Sequence, residues 1–121
     1  MIHNEKEFIE WLDTQMNETI PAEIVAFTIN IYESPFNIEI VGSSEFDAED
    51  DDWACNEDWV PKERIVSISP CFFGSSWQQT QATIVALAKQ YLLSNSKNVL
   101  KLKAANAFAV GFVDADLSYV Q

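Results

Sequence analysis

Residues 23–33, EIVAFTINIYE, set Val25, Phe27, Ile29 and Ile31 at every second position, and residues 36–42, FNIEIVG, repeat the pattern with Phe36, Ile38 and Ile40. A period of two is that of a β-strand resting one face on a core. Only Ser34 and Pro35 separate the two runs, so the pair predicts a hairpin. Asn37 and Glu39 alternate with the apolar residues of the second strand, which predicts that its other face is wet. The rest of the chain must then cover the apolar face.

Two segments have the helical period to do so. Asn4 followed by Glu7 has the spacing of a capping box, and Phe8, Ile9, Trp11, Leu12 and Met16 recur at helical intervals until ETIP ends the run, predicting a helix over 4–17. From Ser75 to Ser94, Ile84, Leu87, Ala88, Tyr91 and Leu92 form one stripe, with Gln78, Gln79, Gln81, Lys89 and Gln90 off it. RIVSISP reads as a short third strand, VLKLKAA as a further turn of helix, and AFAVGFVDADLSYV as two strands around DAD. Local hairpins beside helices predict an α+β domain: an antiparallel or mixed sheet of about five strands with two main helices packed on it. With 121 residues, 48% of them hydrophobic, the chain suits a single domain over 1–121 with a sizeable core. The pattern leaves strand order open.

Charge adds a second constraint. Nineteen acids against seven bases give a formal net charge of −12, and eight of those negative charges lie between Glu45 and Asp58, leaving −4 for the remainder. No base interrupts the run EFDAEDDDWACNEDW, yet Phe46, Trp53 and Trp59 are threaded through it, unlike a solvated tail. Such a chain repels nucleic acids and anionic membranes and attracts cations or basic proteins. The opening MIHNEKEFIEWLD lacks a secretory leader's pattern, and no run approaches a membrane span, which predicts a cytoplasmic protein. Cys55 and Cys71 are then expected as reduced thiols, and their number and spacing do not suit a cysteine zinc site.

Catalytic constellations are sparse. The single histidine, His3, lies at the N-terminus, where chains usually fray. No serine triad, phosphate loop or GxSxG is present. Cys71 precedes a predicted helix, but without a histidine as base it reads as a buried structural residue. Glycosidase carboxylates are held apart on a rigid cleft, which the adjacent Glu49, Asp50, Asp51 and Asp52 do not suggest. Asp47, Glu49, Asp51 and Asp58 fall at positions 1, 3, 5 and 12 of a calcium loop. Position 6, however, is Asp52 instead of glycine, and position 12 is Asp instead of the longer Glu. The expectation is therefore a protein that is not an enzyme, with no cofactor and no dedicated metal. The alternative is a carboxylate-rich calcium-binding protein or small enzyme with Asp114 and Asp116 of DAD as further ligands; a plain hairpin turn accounts for DAD as well.

A folded protein keeps a dense patch of like charge more readily for a partner than for its own stability, and tryptophan is a common interface anchor. The run then reads as a protein-binding surface, with Trp53 and Trp59 as contact area. The competing reading makes the tryptophans flaps over the core edge and the acids merely solvated. A stripe of charge that mimics nucleic acid is a variant of the first. In its short length, its acidity, the connection FDAEDDDWACNEDW and the terminal pair AFAVGFVDADLSYV, the chain resembles the small immunity proteins of bacterial polymorphic toxins and contact-dependent growth-inhibition systems. The resemblance implies a stoichiometric inhibitor of a cognate basic toxin, often a nuclease, in the cytosol of the producing cell. Its toxin-binding residues would be Asp47, Glu49, Asp50, Asp51, Asp52, Trp53, Glu57, Asp58 and Trp59.

Overall fold

A computed structural model describes residues 1–33, 36–112 and 116–121. The hairpin strands are β1 (Ala26–Tyr32) and β2 (Asn37–Ser43), antiparallel with Ala26 opposite Ser43 and Tyr32 opposite Asn37. β3 (Val66–Ser67) extends the sheet beyond β2, while β4 (Ala107–Phe112) pairs parallel to β1 and β5 (Ser118–Tyr119) antiparallel to β4. The sheet is therefore mixed, in the order β3-β2-β1-β4-β5. A parallel pair needs a long crossover, supplied here by α2 (Pro70–Phe73), α3 (Trp77–Leu92) and α4 (Val99–Lys103). α1 (Glu5–Met16) packs beside α3. The α+β class and five strands agree with the sequence pattern.

The helices cover the face bearing Phe27, Ile29, Ile31, Ile38, Ile40, Phe108 and Val110, all buried against Phe8, Leu12, Ile84 and Tyr91. Asn4 caps α1 by accepting from the Glu7 amide at 3.0 Å, and the Glu7 carboxylate accepts from the His3 amide at 2.7 Å. The last turn of α1 has no base of its own. Lys101 of α4 supplies one, its Nζ donating to the carbonyls of Met16 at 2.6 Å and Glu18 at 3.1 Å. Ser76 caps α3 by accepting from the Gln79 amide at 3.3 Å. Between α2 and α3, Gly74 adopts φ 103°, and a side chain there would meet Gln79 Cβ at 2.7 Å.

Several expectations are corrected. The N-terminus is tied down: the Ile2 amide donates to Ser67 O, the Ser69 amide donates to Ile2 O, and Ile2 is buried. β1 starts at Ala26, β3 is only two residues long, and Pro70 opens the additional helix α2, where a missing amide hydrogen costs nothing. Cys71 is exposed, as is Cys55, and both thiols are free; the first turn of so short a helix lies at the surface. Gln81 lies inside, its Nε2 donating to Ser118 Oγ at 2.7 Å and Asp116 O at 3.3 Å, so it fastens α3 to β5. Ser34, Pro35, Asp114 and Ala115 fall outside the described residues, so the SP turn and all of DAD but Asp116 do too. Among the described residues no helix is long and apolar enough to cross a membrane.

The largest correction concerns the second face of the sheet. β2 carries no wet row: Glu39 is fully buried and Val41 and Ser43 are nearly so. The acidic connection covers them.

Candidate functional site

That face is paved with small residues, Ala26 and Thr28 on β1 and Ala107 and Ala109 on β4, all buried. Small side chains leave room for the connection between β2 and β3 to lie down on the strands. Its centre is a 3-10 helix, Asp51–Cys55, which drops Trp53 and Ala54 onto the alanines, with Phe46 and Leu117 packed alongside. The Trp53 ring meets Phe46 edge-on at 5.4 Å and Tyr119 at 6.4 Å. Its Nε1 donates to Tyr119 Oη at 3.4 Å, and that hydroxyl donates to Asp51 Oδ1 at 3.2 Å. Burial raises the Tyr119 pKa above the usual phenol value. The chain then rounds the sheet edge, where Trp59 bridges to Gly42 and turns its ring edge-on to Phe27 on the helical side, at 6.0 Å. A side chain at Gly42 would lie 2.6 Å from Ile24 Cγ2 and 3.3 Å from Trp59 Cε3, so the glycine admits the indole.

The expectation that Trp53 and Trp59 provide exposed contact area is thus corrected: they are 4% and 7% exposed, interior in this structure. The energetics explain why. Burying each indole contributes about 3 kcal/mol, whereas repulsion between neighbouring exposed carboxylates costs a few tenths of a kcal/mol per pair. The aromatic contribution wins, and the acidic run is held as a folded layer.

Five of the acids also have local structural work. Asp47 Oδ1 accepts from the Glu49 amide at 2.9 Å, and Asp50 Oδ1 caps the 3-10 helix by accepting from the Asp52 amide at 3.0 Å. Asp51 accepts from Tyr119 as described. Asp58 Oδ2 accepts from both the amide and the hydroxyl of Ser44 at 2.8 Å, and these bonds, the amide's first, hold its pKa below the usual carboxylate value. Glu57 pairs with both oxygens to Arg64 Nη2. The side chains of Glu45, Glu49 and Asp52 are exposed, with no hydrogen bond or ion pair among the described residues.

Beneath the layer lies a charge cluster that sequence reasoning missed. Arg64 Nε donates to buried Glu39 Oε2 at 2.7 Å, Tyr32 Oη donates to Glu39 Oε1, and Asn30 Nδ2 approaches the same oxygen at 3.5 Å. The hydrogen bond to Glu39 raises the Arg64 pKa most, and burial followed by Glu39 raises that of Tyr32. Two signals were legible: Arg64 is the only arginine in the sequence, and Asn30, Tyr32 and Glu39 hold the polar positions of strands that face each other.

Of the four residues whose spacing suggested a calcium loop, Asp47, Asp51 and Asp58 each accept a different local hydrogen bond, and the Glu49 carboxylate faces outward. Among the described residues no three His, Cys, Asp or Glu side chains form a group able to hold a metal. Among the described residues, depressions open on the outer surface instead. One, about 500 Å³, is lined by Glu45, Phe46, Asp47, Asp50 and Asp52; another, about 430 Å³, by Asp51, Asp52, Glu57, Asp116, Phe112 and Leu117 among others. Asp52 borders both. Compared with protein-family models, curated proteins and solved structures, the chain shows no significant match to any of them.

Proposed function

We propose that this protein is an inhibitor of the immunity type, a stoichiometric binder of a basic protein partner that docks on the outer surface of residues 45–58. A cognate toxin of the nuclease class, met in the cytoplasm, is the partner its chemistry suits first. A nuclease cleft presents lysine and arginine to the phosphates of its substrate, and carboxylates set in their place would occupy that cleft without being turned over. The observation that carries this reading is the fixing of the acidic run. Trp53 and Trp59 pin it to the sheet, Arg64 pairs with Glu39 and Glu57, and Glu45, Glu49 and Asp52 are left facing outward with no cation paired to them among the described residues. A preorganised array loses little entropy on binding and steers association over several ångströms.

The test is co-purification with the product of the neighbouring upstream gene at low and high salt, followed by alkylation of the two thiols. Cys55 borders an acidic depression, whereas Cys71 lies on α2 among the helices, so each thiol reports on a different face. A one-to-one complex that shields Cys55 and leaves Cys71 reactive supports the reading. A complex that shields only Cys71 would place the interface on the helices and overturn it.

A further inference from the structure

If a basic partner docks on the acidic layer, as proposed, it needs an aromatic anchor, because charge steers association while buried aromatics hold it. Trp53 and Trp59 are enclosed. The remaining exposed indole is Trp77, 44% exposed at the first residue of α3, with no hydrogen bond to its N–H among the described residues. An indole this exposed leaves part of its apolar area uncovered in the free protein. Trp77 is also not isolated. Its ring meets Phe112 edge-on at 6.0 Å, and Phe36 meets the same Phe112 at 6.0 Å, making a row of rings where β1 and β4 end. Phe112 in turn forms an apolar wall of the depression bordered by Asp51, Asp52, Glu57 and Asp116.

We infer that Trp77 is the aromatic anchor of the docking face and that its occupant is a protein segment carrying arginine or lysine. The aliphatic stem and cation of one such side chain would stack on the indole while its charge points toward the carboxylates beyond Phe112. Charge complementarity selects this occupant. The positive end of α3 amounts to about half a charge, outweighed by Asp51, Asp52 and Asp116 even with Glu57 committed to Arg64. An indole is the aromatic face best suited to a guanidinium. The row of rings also brings the interface past the connection and onto a neighbouring element, which the length of the acidic run alone does not do.

The probe is a short peptide of alternating arginine and glycine, titrated at low salt into 15N-labelled protein, where each of the four tryptophans gives one indole signal. The expected result is that the Trp77 indole shifts together with the amides of Asp116 and Leu117. Trp77→Gln should weaken binding about tenfold, as loss of an interface anchor does, with an unchanged thermal midpoint, and Trp77→Phe should keep most of the affinity. If Trp77→Gln proves unfolded, the wild-type indole shift and Trp77→Phe decide the matter. A peptide that perturbs only residues 45–52 and binds Trp77→Gln as tightly as wild type overturns the anchor but leaves the acidic docking surface standing. A peptide that perturbs neither region at low salt overturns both.

Discussion

Arg64 Nε donates to Glu39 Oε2 at 2.7 Å while Nη2 of the same guanidinium holds Glu57, so one side chain fastens the floor of β2 to the exit of the acidic connection. Glu39 is fully buried and Arg64 41% exposed. Removing the partner of a buried charge costs more than the pair contributes, because the charge left behind has lost its solvation. Arg64→Ala should therefore lower the denaturation midpoint, by less than loss of a fully buried pair would because water reaches the arginine. Adding Glu39→Gln to that variant should restore part of the stability. Urea denaturation of the two single variants and the double variant checks this: strict additivity would mean that the two groups do not interact.

Trp53 is the nail of the layer. Trp53→Ala would open a cavity between the 3-10 helix and Ala26, Ala107 and Ala109, at a cost of about 3–5 kcal/mol. It should also release Tyr119 from its contact with the indole. The expected readout is a large fall in the denaturation midpoint, seen before any partner is added. An unchanged midpoint with faster partner dissociation would instead return Trp53 to the role of an exposed anchor.

The parts of the fold written in local periodicity were legible: the hairpin, the two long helices and the α+β class follow from Ile29 opposite Ile40 and from the stripe Ile84, Leu87, Tyr91. Parallel pairing of β1 with β4 was not, since it joins Ala26 to Ala107 across most of the chain and no local pattern encodes it. The same limit hid the second core. Glu39 reads as solvent-facing by alternation, and only the return of Trp53 over the alanines and of Arg64 to its carboxylate encloses it. Nearby acids were visible as charge, but their hydrogen bonds were not: Asp50 caps and Asp58 staples through backbone geometry that composition does not carry.

Those bonds separate the acids that serve the fold from those free to serve a partner. Replacing Glu45, Glu49 and Asp52 together by Gln, Gln and Asn removes three charges without breaking a bond among the described residues. Stability should hold or rise by a few tenths of a kcal/mol as repulsion eases. Association with a basic partner should slow, and its salt dependence should flatten. Asp50→Asn with Asp58→Asn, by contrast, should lower stability. Stopped-flow association at several salt concentrations, beside thermal melts, compares the two sets; equal association rates would remove the outward carboxylates from recognition.

Asp13 gives the fold a defined acid limit. Its carboxylate accepts from Ser96 Oγ, from Tyr91 Oη at 2.7 Å and from Asn98 Nδ2 at 3.3 Å, which ties α1 to α3 and to the turn before α4. The Ser96 hydroxyl contributes most to holding its pKa below the ordinary 3.8, and these bonds outweigh the opposing effect of burial. A group with a depressed folded pKa binds its proton more readily in the unfolded chain. Its contribution is therefore complete above the unfolded value and is lost as pH falls through the folded one. Asp13→Asn keeps the shape but loses the charge assistance, so it should cost about 1–2 kcal/mol near neutral pH. The difference from wild type should begin to shrink as pH falls below 3.8 and close once pH has passed the lower folded value, where Asp13 in the native protein itself becomes neutral. Denaturation midpoints of both proteins from acid to neutral pH measure that convergence, and a constant gap across the range would show that the carboxylate charge has no part in joining the helices.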